Sequence, residues 1–316
     1  MNLSLSEHLI YKDEYVADNQ EGAKTTLHMM ELWHAFGNSF VIQLKNGHFI
    51  VSDGGFHTET GYLIDYLEGL VSEGEKPVIE AWFVSHAHID HYGVFRPFLE
   101  NSEYGNRIYV EGIYYNEPCN SVIALDLTVR DDITFIHRVT KCMRTTKGNS
   151  PEIYRPQTGQ RYYFNDITVD IVMAQEQLPF EQYSGDFNDS STWCMFTIEG
   201  QKCLLGGDGD KGGTQFIMKA YDQGYLDFDV FSVLHHGHGT RDDFTRCCKF
   251  KTVLFTKRGK PPAYKLESNT YLKEVSEEWL VWDDGTKVLT FPYAVGEAKC
   301  LPQFDWIYHK DQERPE

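Results

Sequence analysis

The sequence predicts an α/β sandwich, two mixed sheets packed face to face with helices on their outer sides. Three observations carry that expectation. Short apolar runs broken by Gly37-Asn38 and Asn46-Gly47 read as a β-meander, strand and helix patterns alternate after Thr60, and a second meander follows Arg161. No Pro-rich or low-complexity linker divides the chain, so one domain is expected over residues 26–311.

The elements follow in order. Residues 1–25 are polar and without period, an N-terminal lead-in. LHMMELWHAF, SFVIQL and HFIVSDGG are the first strands, and Asn46-Gly47 is the firmest hairpin signal. Thr60–Glu73 places Leu63, Leu67 and Leu70 at helical spacing, and VIEAWFVSHAH is a strand apolar on both faces. Arg96–Glu103 reads as a short helix, Arg107–Tyr115 as a strand, and Ile133–Arg144 as a helix within a long insertion near 116–160. In the second meander Asn165-Asp166 and Glu199-Gly200 supply the turns of RYYFNDITVDIVMA and STWCMFTIEGQKCLL. Thr214–Asp222 is helical, DVFSVL is a strand ending at His235, TVLFT is a further strand, and 312–316 is a frayed tail.

Composition narrows the functional classes. With 316 residues, 41% of them hydrophobic, the chain can bury a large core without disulfides. Its 29 Lys and Arg against 47 Asp and Glu give a net charge of -18, which disfavours long nucleic acid as a partner. A small anion remains compatible, because divalent cations in a cleft reverse the local field. The 7 cysteines show no metal-knuckle or disulfide spacing and read as reduced, mostly buried thiols. No apolar run approaches a membrane span and no secretory leader is evident, so a cytoplasmic location is expected. Oligomeric state is not legible.

Chemistry concentrates in VSHAHIDHYG, where His86, His88, Asp90 and His91 fall within six positions after a buried strand. Side chains two apart on a strand share a face, so His86 and His88 converge, and the following turn can carry Asp90 and His91 toward a second ion. Imidazole with carboxylate suits zinc, iron or manganese, and the lack of a closed set of four Cys or His ligands points to a catalytic site open to water. A polar turn with coincidental histidines is the bland alternative.

HAHIDH matches the HxHxDH signature, and the sequence resembles the metallo-β-lactamase superfamily over about Leu27 to Thr256. The resemblance implies the αββα metallo-β-lactamase fold, a binuclear site with two divalent ions (zinc or manganese rather than iron), and a hydrolase that uses a metal-bridged hydroxide. It assigns Asp53 a supporting role behind the ligands, although Asp before two glycines also suits a plain turn. It makes Asp208 in CLLGGDGD the carboxylate shared by both ions, with Asp210 the weaker candidate, and gives Asp90 and Asp208 catalytic roles. His235 and His236 in LHHGHG are the candidates for the last ligand, His235 being favoured as nearer the apolar strand. His238 is a candidate for orienting substrate.

The sequence departs from the family at its usual GHTxGS-like segment, where FNDSSTWCMF stands instead. That stretch resembles the N-x-x-S variant of the DNA-uptake-channel metallo-hydrolase domain and of phosphorylcholine esterases, which places Asn188 or Asp189 toward the first metal. The same likeness points to a phosphoester of a small, anionic molecule. Lactone, thioester or amide hydrolysis, or a non-hydrolytic metal-binding or diiron protein, are the rival readings. The basic KRGKPP loop reads as solvated, and Tyr114, Tyr115 and Trp193 as cleft-lining or core residues, with core the commoner fate of such aromatics.

Overall fold

The computed structural model describes residues 19–97, 102–116, 151–174, 187–209, 211–238, 240, 242–258, 267–282 and 285–301. The expected helix Ile133–Arg144, most of the 116–160 insertion, Asp210, most of KRGKPP and the tail lie outside these residues.

The antiparallel meander begins with β1 (Thr26–Met29), β2 (Ser39–Gln43) and β3 (Phe49–Asp53). Parallel strands continue that sheet: β4 (Val78–Val84), β5 (Tyr109–Val110), β6 (Gly112–Tyr115) and β7 (Glu152–Tyr154). The hairpin at Asn46-Gly47 is a three-residue loop rather than a two-residue one. Leu44 N–H donates to His48 O, Gly47 N–H donates to Leu44 O, and Gly47 alone takes a positive φ, of 85°.

The second sheet repeats the plan. β8 (Arg161–Phe164), β9 (Ile167–Met173), β10 (Trp193–Ile198) and β11 (Gln201–Leu205) are antiparallel, and β12 (Asp227–Ser232), β13 (Lys249–Phe255) and β14 (Glu278–Val281) extend it in parallel. Asn165 and Glu199 both adopt positive φ at the expected turns. β15 (Lys287–Thr290) then returns to the first sheet and pairs β1, with β16 (Lys299–Cys300) beyond it.

Alternation along the strands sorts side chains between two cores. Cys194, Phe196, Cys203, Leu205, Val230 and Leu254 join the large cluster that also takes up the first sheet. Their neighbours Met195, Leu204, Phe231 and Val253 point to the opposite face. The helices are α1 (Thr60–Glu68), α2 (Ile89–Tyr92), α3 (Ser102–Arg107), α4 (Lys211–Ala220), α5 (Asp242–Cys247) and α6 (Glu267–Val275). α1 packs Leu63, Ile64 and Leu67 into the larger core, whereas Ile217 of α4, Phe244 of α5 and Leu272 of α6 cover the outer face of the second sheet. This is the α/β sandwich of two mixed sheets that the sequence predicts.

Several boundaries differ from the sequence reading. The first helix stops at Glu68 instead of Glu73, with Gly69 as its C-cap. Of the expected helix Arg96–Glu103, residues 98–101 lie outside the described residues; a 3-10 turn at Gly93–Phe95 precedes it, and α3 begins within its range at Ser102. The strand expected at Arg107–Tyr115 is broken between β5 and β6, both of which pair β4. Tyr114, Tyr115 and Trp193 are buried and so belong to the core. Among the described cysteines, Cys194, Cys203 and Cys248 are buried thiols, while Cys300 is exposed.

Candidate metal centre

The site forms where the parallel strands of both sheets end. Asp53 closes β3, the HAHIDH loop leaves β4, Asp208 follows β11, His235 and His236 follow β12, and Thr256 follows β13. The two sheets are tied there by Thr192 N–H donating to Ser85 O at 2.8 Å, and within the second sheet His235 N–H donates to Gly207 O at 3.2 Å.

β4 ends at Val84, so His86 and His88 lie on the loop, with His88 extended at the start of α2. They converge all the same: His86 Nε2 and His88 Nδ1 are 3.0 Å apart. α2 turns Asp90 and His91 inward. One set of mutually close, metal-capable atoms comes from Asp90, His91, Asp208 and His236, and a second from His86, His88 and Asp208. Asp208 is common to both.

Its loop is placed by glycines. A Cβ on Gly207 would lie 2.6 Å from Ser85 Cβ, and one on Gly209 would lie 2.3 Å from Trp193 Nε1. The run LLGGDGD therefore lets the backbone bend closely over a fully buried indole while Asp208 turns to the centre. Its amide N–H is held by Ser191 Oγ at 3.2 Å.

The backbone places the two strand-end histidines differently. β12 ends at Ser232, and His235 and His236 both adopt φ 49° before Gly237 at φ 96°. Non-glycine residues in this left-handed region cost roughly 1–2 kcal/mol each. The resulting turn brings His236, not the favoured His235, into the buried group: His236 Nε2 is 3.0 Å from Asp90 Oδ2 and 3.4 Å from Asp208 Oδ2. His235 is 30% exposed and its Nε2 lies 3.9 Å from Asp208 Oδ2. His238 is exposed.

Asn188 and Asp189 are buried in a 3-10 turn. Asn188 Nδ2 sits 3.4 Å from His235 Nδ1, whereas Asp189 Oδ1 accepts from Gly212 N–H at the start of α4 and is in neither set. Asp189 thus serves the helix start, where a carboxylate is favoured.

Behind these groups stands a layer of hydrogen bonds. Asp53, itself at φ 56°, accepts from Ser85 N–H and Ser85 Oγ–H at 2.8 Å each, and its Oδ2 lies 2.8 Å from His91 Nδ1. A carboxylate on Nδ1 fixes that nitrogen as the donor and leaves Nε2 free to ligate. Thr256 Oγ1 is 3.0 Å from His236 Nδ1 and plays the corresponding part on the other side. Ser85 and Thr256 carry no motif of their own, and their position at strand ends was the one available signal.

Charge is balanced within the cluster. Burial lowers the His91 pKa, but the carboxylates of Asp208, Asp90 and Asp53 outweigh it and raise it well above the usual imidazole value. Burial raises the Asp208 carboxyl, and His236 and His91 outweigh that and hold it well below the usual range. His86 is pushed down by burial and by its neighbours His91 and His88, which keeps it neutral and able to ligate. The donor set suits divalent ions on a further count: His91 Nε2 and Asp208 Oδ1, both buried, face each other as an ion pair at 3.0 Å, and neither has a well-formed hydrogen bond. Such atoms are costly to bury unless something binds them.

The metallo-β-lactamase superfamily model matches residues 33–256, and the chain belongs to that superfamily. Its members generally bind divalent metals and are mostly hydrolases, and an enzyme is the expectation for this chain. The metallo-β-lactamase fold protein YhfI from Bacillus subtilis is similar at TM-score 0.51 and 12% identity, covering 85% of this chain and 100% of its own. A mutant of the CmlA β-hydroxylase is similar at TM-score 0.48 and 10% identity, covering 86% of this chain and 55% of its own. At 12% identity the likeness to YhfI concerns the fold alone. No curated protein matches the sequence. No helix among the described residues is long and apolar enough to cross a membrane.

Proposed function

We propose that this chain is a binuclear metallohydrolase acting on a phosphoester of a small, anionic molecule. The observation that carries the reading is the sharing of Asp208 by two sets of ligand-capable atoms at one strand-end cleft. In this reading His86, His88 and Asp208 would hold one divalent ion, zinc or manganese, and Asp90, His91, Asp208 and His236 would hold the other. Such ions, when bound, supply water ionised near neutral pH and Lewis-acid polarisation of the scissile group.

The protein's own contribution is orientation. Asp53 sets the tautomer of His91, Ser85 ties Asp53 to the HAHIDH loop, and Thr256 orients His236. Groups fixed in this way need no rearrangement when charge develops on the substrate, which is where most of the catalytic advantage arises. The phosphoester preference is supported by the N-x-x-S segment from Asn188 to Ser191, and by the imidazoles of His235 and His238, which lie on the more exposed side of the cluster. The test is a panel of 4-nitrophenyl phosphate, bis(4-nitrophenyl) phosphate, a lactone and a thioester with the zinc- and manganese-loaded protein. Turnover of a phosphate ester above the others is expected. Turnover of the lactone or thioester alone would reject the phosphoester reading and keep the hydrolase, and no turnover of any would reject both.

A further inference from the structure

Five large apolar side chains are exposed among the described residues, and two of them lie beside the metal-capable cluster: Ile89 in α2 between His88 and Asp90, and Phe36 on the β1–β2 connection, against His236. Phe36 is 42% exposed, and its ring centroid lies 5.5 Å from that of His236. Behind it Phe56 makes an edge contact at 5.8 Å, and His34 stacks on Phe56 at 3.8 Å, held by buried Glu59 through a 2.8 Å contact to Nδ1. The row therefore links a candidate ligand, through two phenyl rings, to a fixed imidazole.

An exposed phenyl ring on a slack loop would fold back onto apolar surface. This loop has no slack. Arg258 donates from one guanidinium nitrogen to Leu32 O, Trp33 O and His34 O at 3.3, 2.6 and 3.2 Å, and its own N–H donates to Ala35 O at 2.8 Å. Phe36 itself forms a β-bridge with Lys257. Asn38 N–H donates to Asp90 O at 3.1 Å, and Gly37, at φ 136°, approaches Asp90 so closely that a Cβ would lie 3.0 Å from its carbonyl oxygen. The backbone that carries the ring is thus pinned on one side to the segment of Asp90 and on the other to the segment following β13, and the ring itself rests against Phe56 and His236.

We infer that Phe36 is a specificity-determining residue, a rigid aromatic platform for a flat apolar group next to the scissile bond. The inference rests on the proposed hydrolase reading and narrows its substrate class to esters bearing an aromatic or similarly planar substituent. A fixed ring loses little entropy on binding, and offset or edge contact with a second ring is favourable beyond the area buried.

The test compares ligand pairs on the metal-loaded protein by calorimetry: phenylphosphonate against methylphosphonate, and benzoate against acetate, in wild type and Phe36→Ala. In wild type the aryl member is expected to bind at least about tenfold more tightly, which corresponds to about 1.4 kcal/mol, and in Phe36→Ala that ratio falls toward one. Metal content, measured on the same samples, separates loss of the platform from loss of the centre. Aryl preference in the carboxylate pair alone, with no phosphonate bound, would overturn the phosphoester reading and leave the platform standing. No aryl preference in either pair, or a preference that survives Phe36→Ala, would overturn the platform.

Discussion

Replacing Asp53 with Asn removes a charge and reverses one hydrogen-bonding group while leaving shape and backbone intact. Asn tolerates the left-handed φ of 56° at least as well as Asp, so the fold is not strained by the change. In the native protein both carboxylate oxygens accept, one from Ser85 N–H at 2.8 Å and the other from Ser85 Oγ–H, with His91 Nδ1 2.8 Å from the latter oxygen. An amide can satisfy Ser85 N–H only by turning its NH2 toward His91. The imidazole must then accept on Nδ1 and carry its proton on Nε2, the nitrogen 3.0 Å from Asp208, where it can no longer ligate. The opposite amide orientation sets two donors against each other in a buried place, at about 1–3 kcal/mol. Loss of such an orienting partner costs about 10–100-fold in metal affinity, or about 1.4–2.7 kcal/mol. Competition with a chromophoric chelator measures that affinity, and a circular dichroism spectrum shows whether the variant is folded. A folded Asp53→Asn protein binding zinc as tightly as wild type would refute the argument.

Two further predictions concern the scaffold. Gly209→Ala places a methyl 2.3 Å from Trp193 Nε1 and 2.4 Å from its Cζ2, against a fully buried indole. Overpacking of this kind costs about 1–3 kcal/mol, which should appear as a lower urea midpoint together with weaker metal binding through the adjacent Asp208. An unchanged midpoint would show that the loop lifts freely. His28 is buried against Thr26 and Tyr66, and burial pushes its pKa down to about 4. The folded state therefore resists a proton that the unfolded chain accepts near pH 6.5, so stability is full above that pH and falls as pH drops toward 4. The loss amounts to about 3 kcal/mol. Urea denaturation at stepped pH should show this slope reduced by one proton in His28→Gln, and an identical slope in both proteins would assign the acid sensitivity elsewhere.

The parts of the molecule legible in the sequence were those written locally. The HAHIDH stretch is contiguous, and the turns at Asn165-Asp166 and Glu199-Gly200 need only their own backbone preferences. What escaped depends on long-range pairing. β15 joins β1 across more than two-thirds of the chain, and so short a strand has no periodicity to betray it. Ser85 and Thr256 matter only because parallel registers bring their strand ends beside Asp53 and His236. Nearness to the apolar strand favours His235, but the structure brings His236 into the buried cluster. Two consecutive left-handed residues rotate the pair, and a strand pattern cannot foresee that.

The central claim is a two-ion centre bridged by Asp208 and completed by His236, and metal content of the purified protein by mass spectrometry tests it most directly. Wild type loaded with zinc or manganese should hold about two equivalents, as should His235→Ala, whereas Asp208→Ala and His236→Ala, still folded, should hold fewer. A single equivalent in wild type, or metal lost from His235→Ala and kept in His236→Ala, would contradict it.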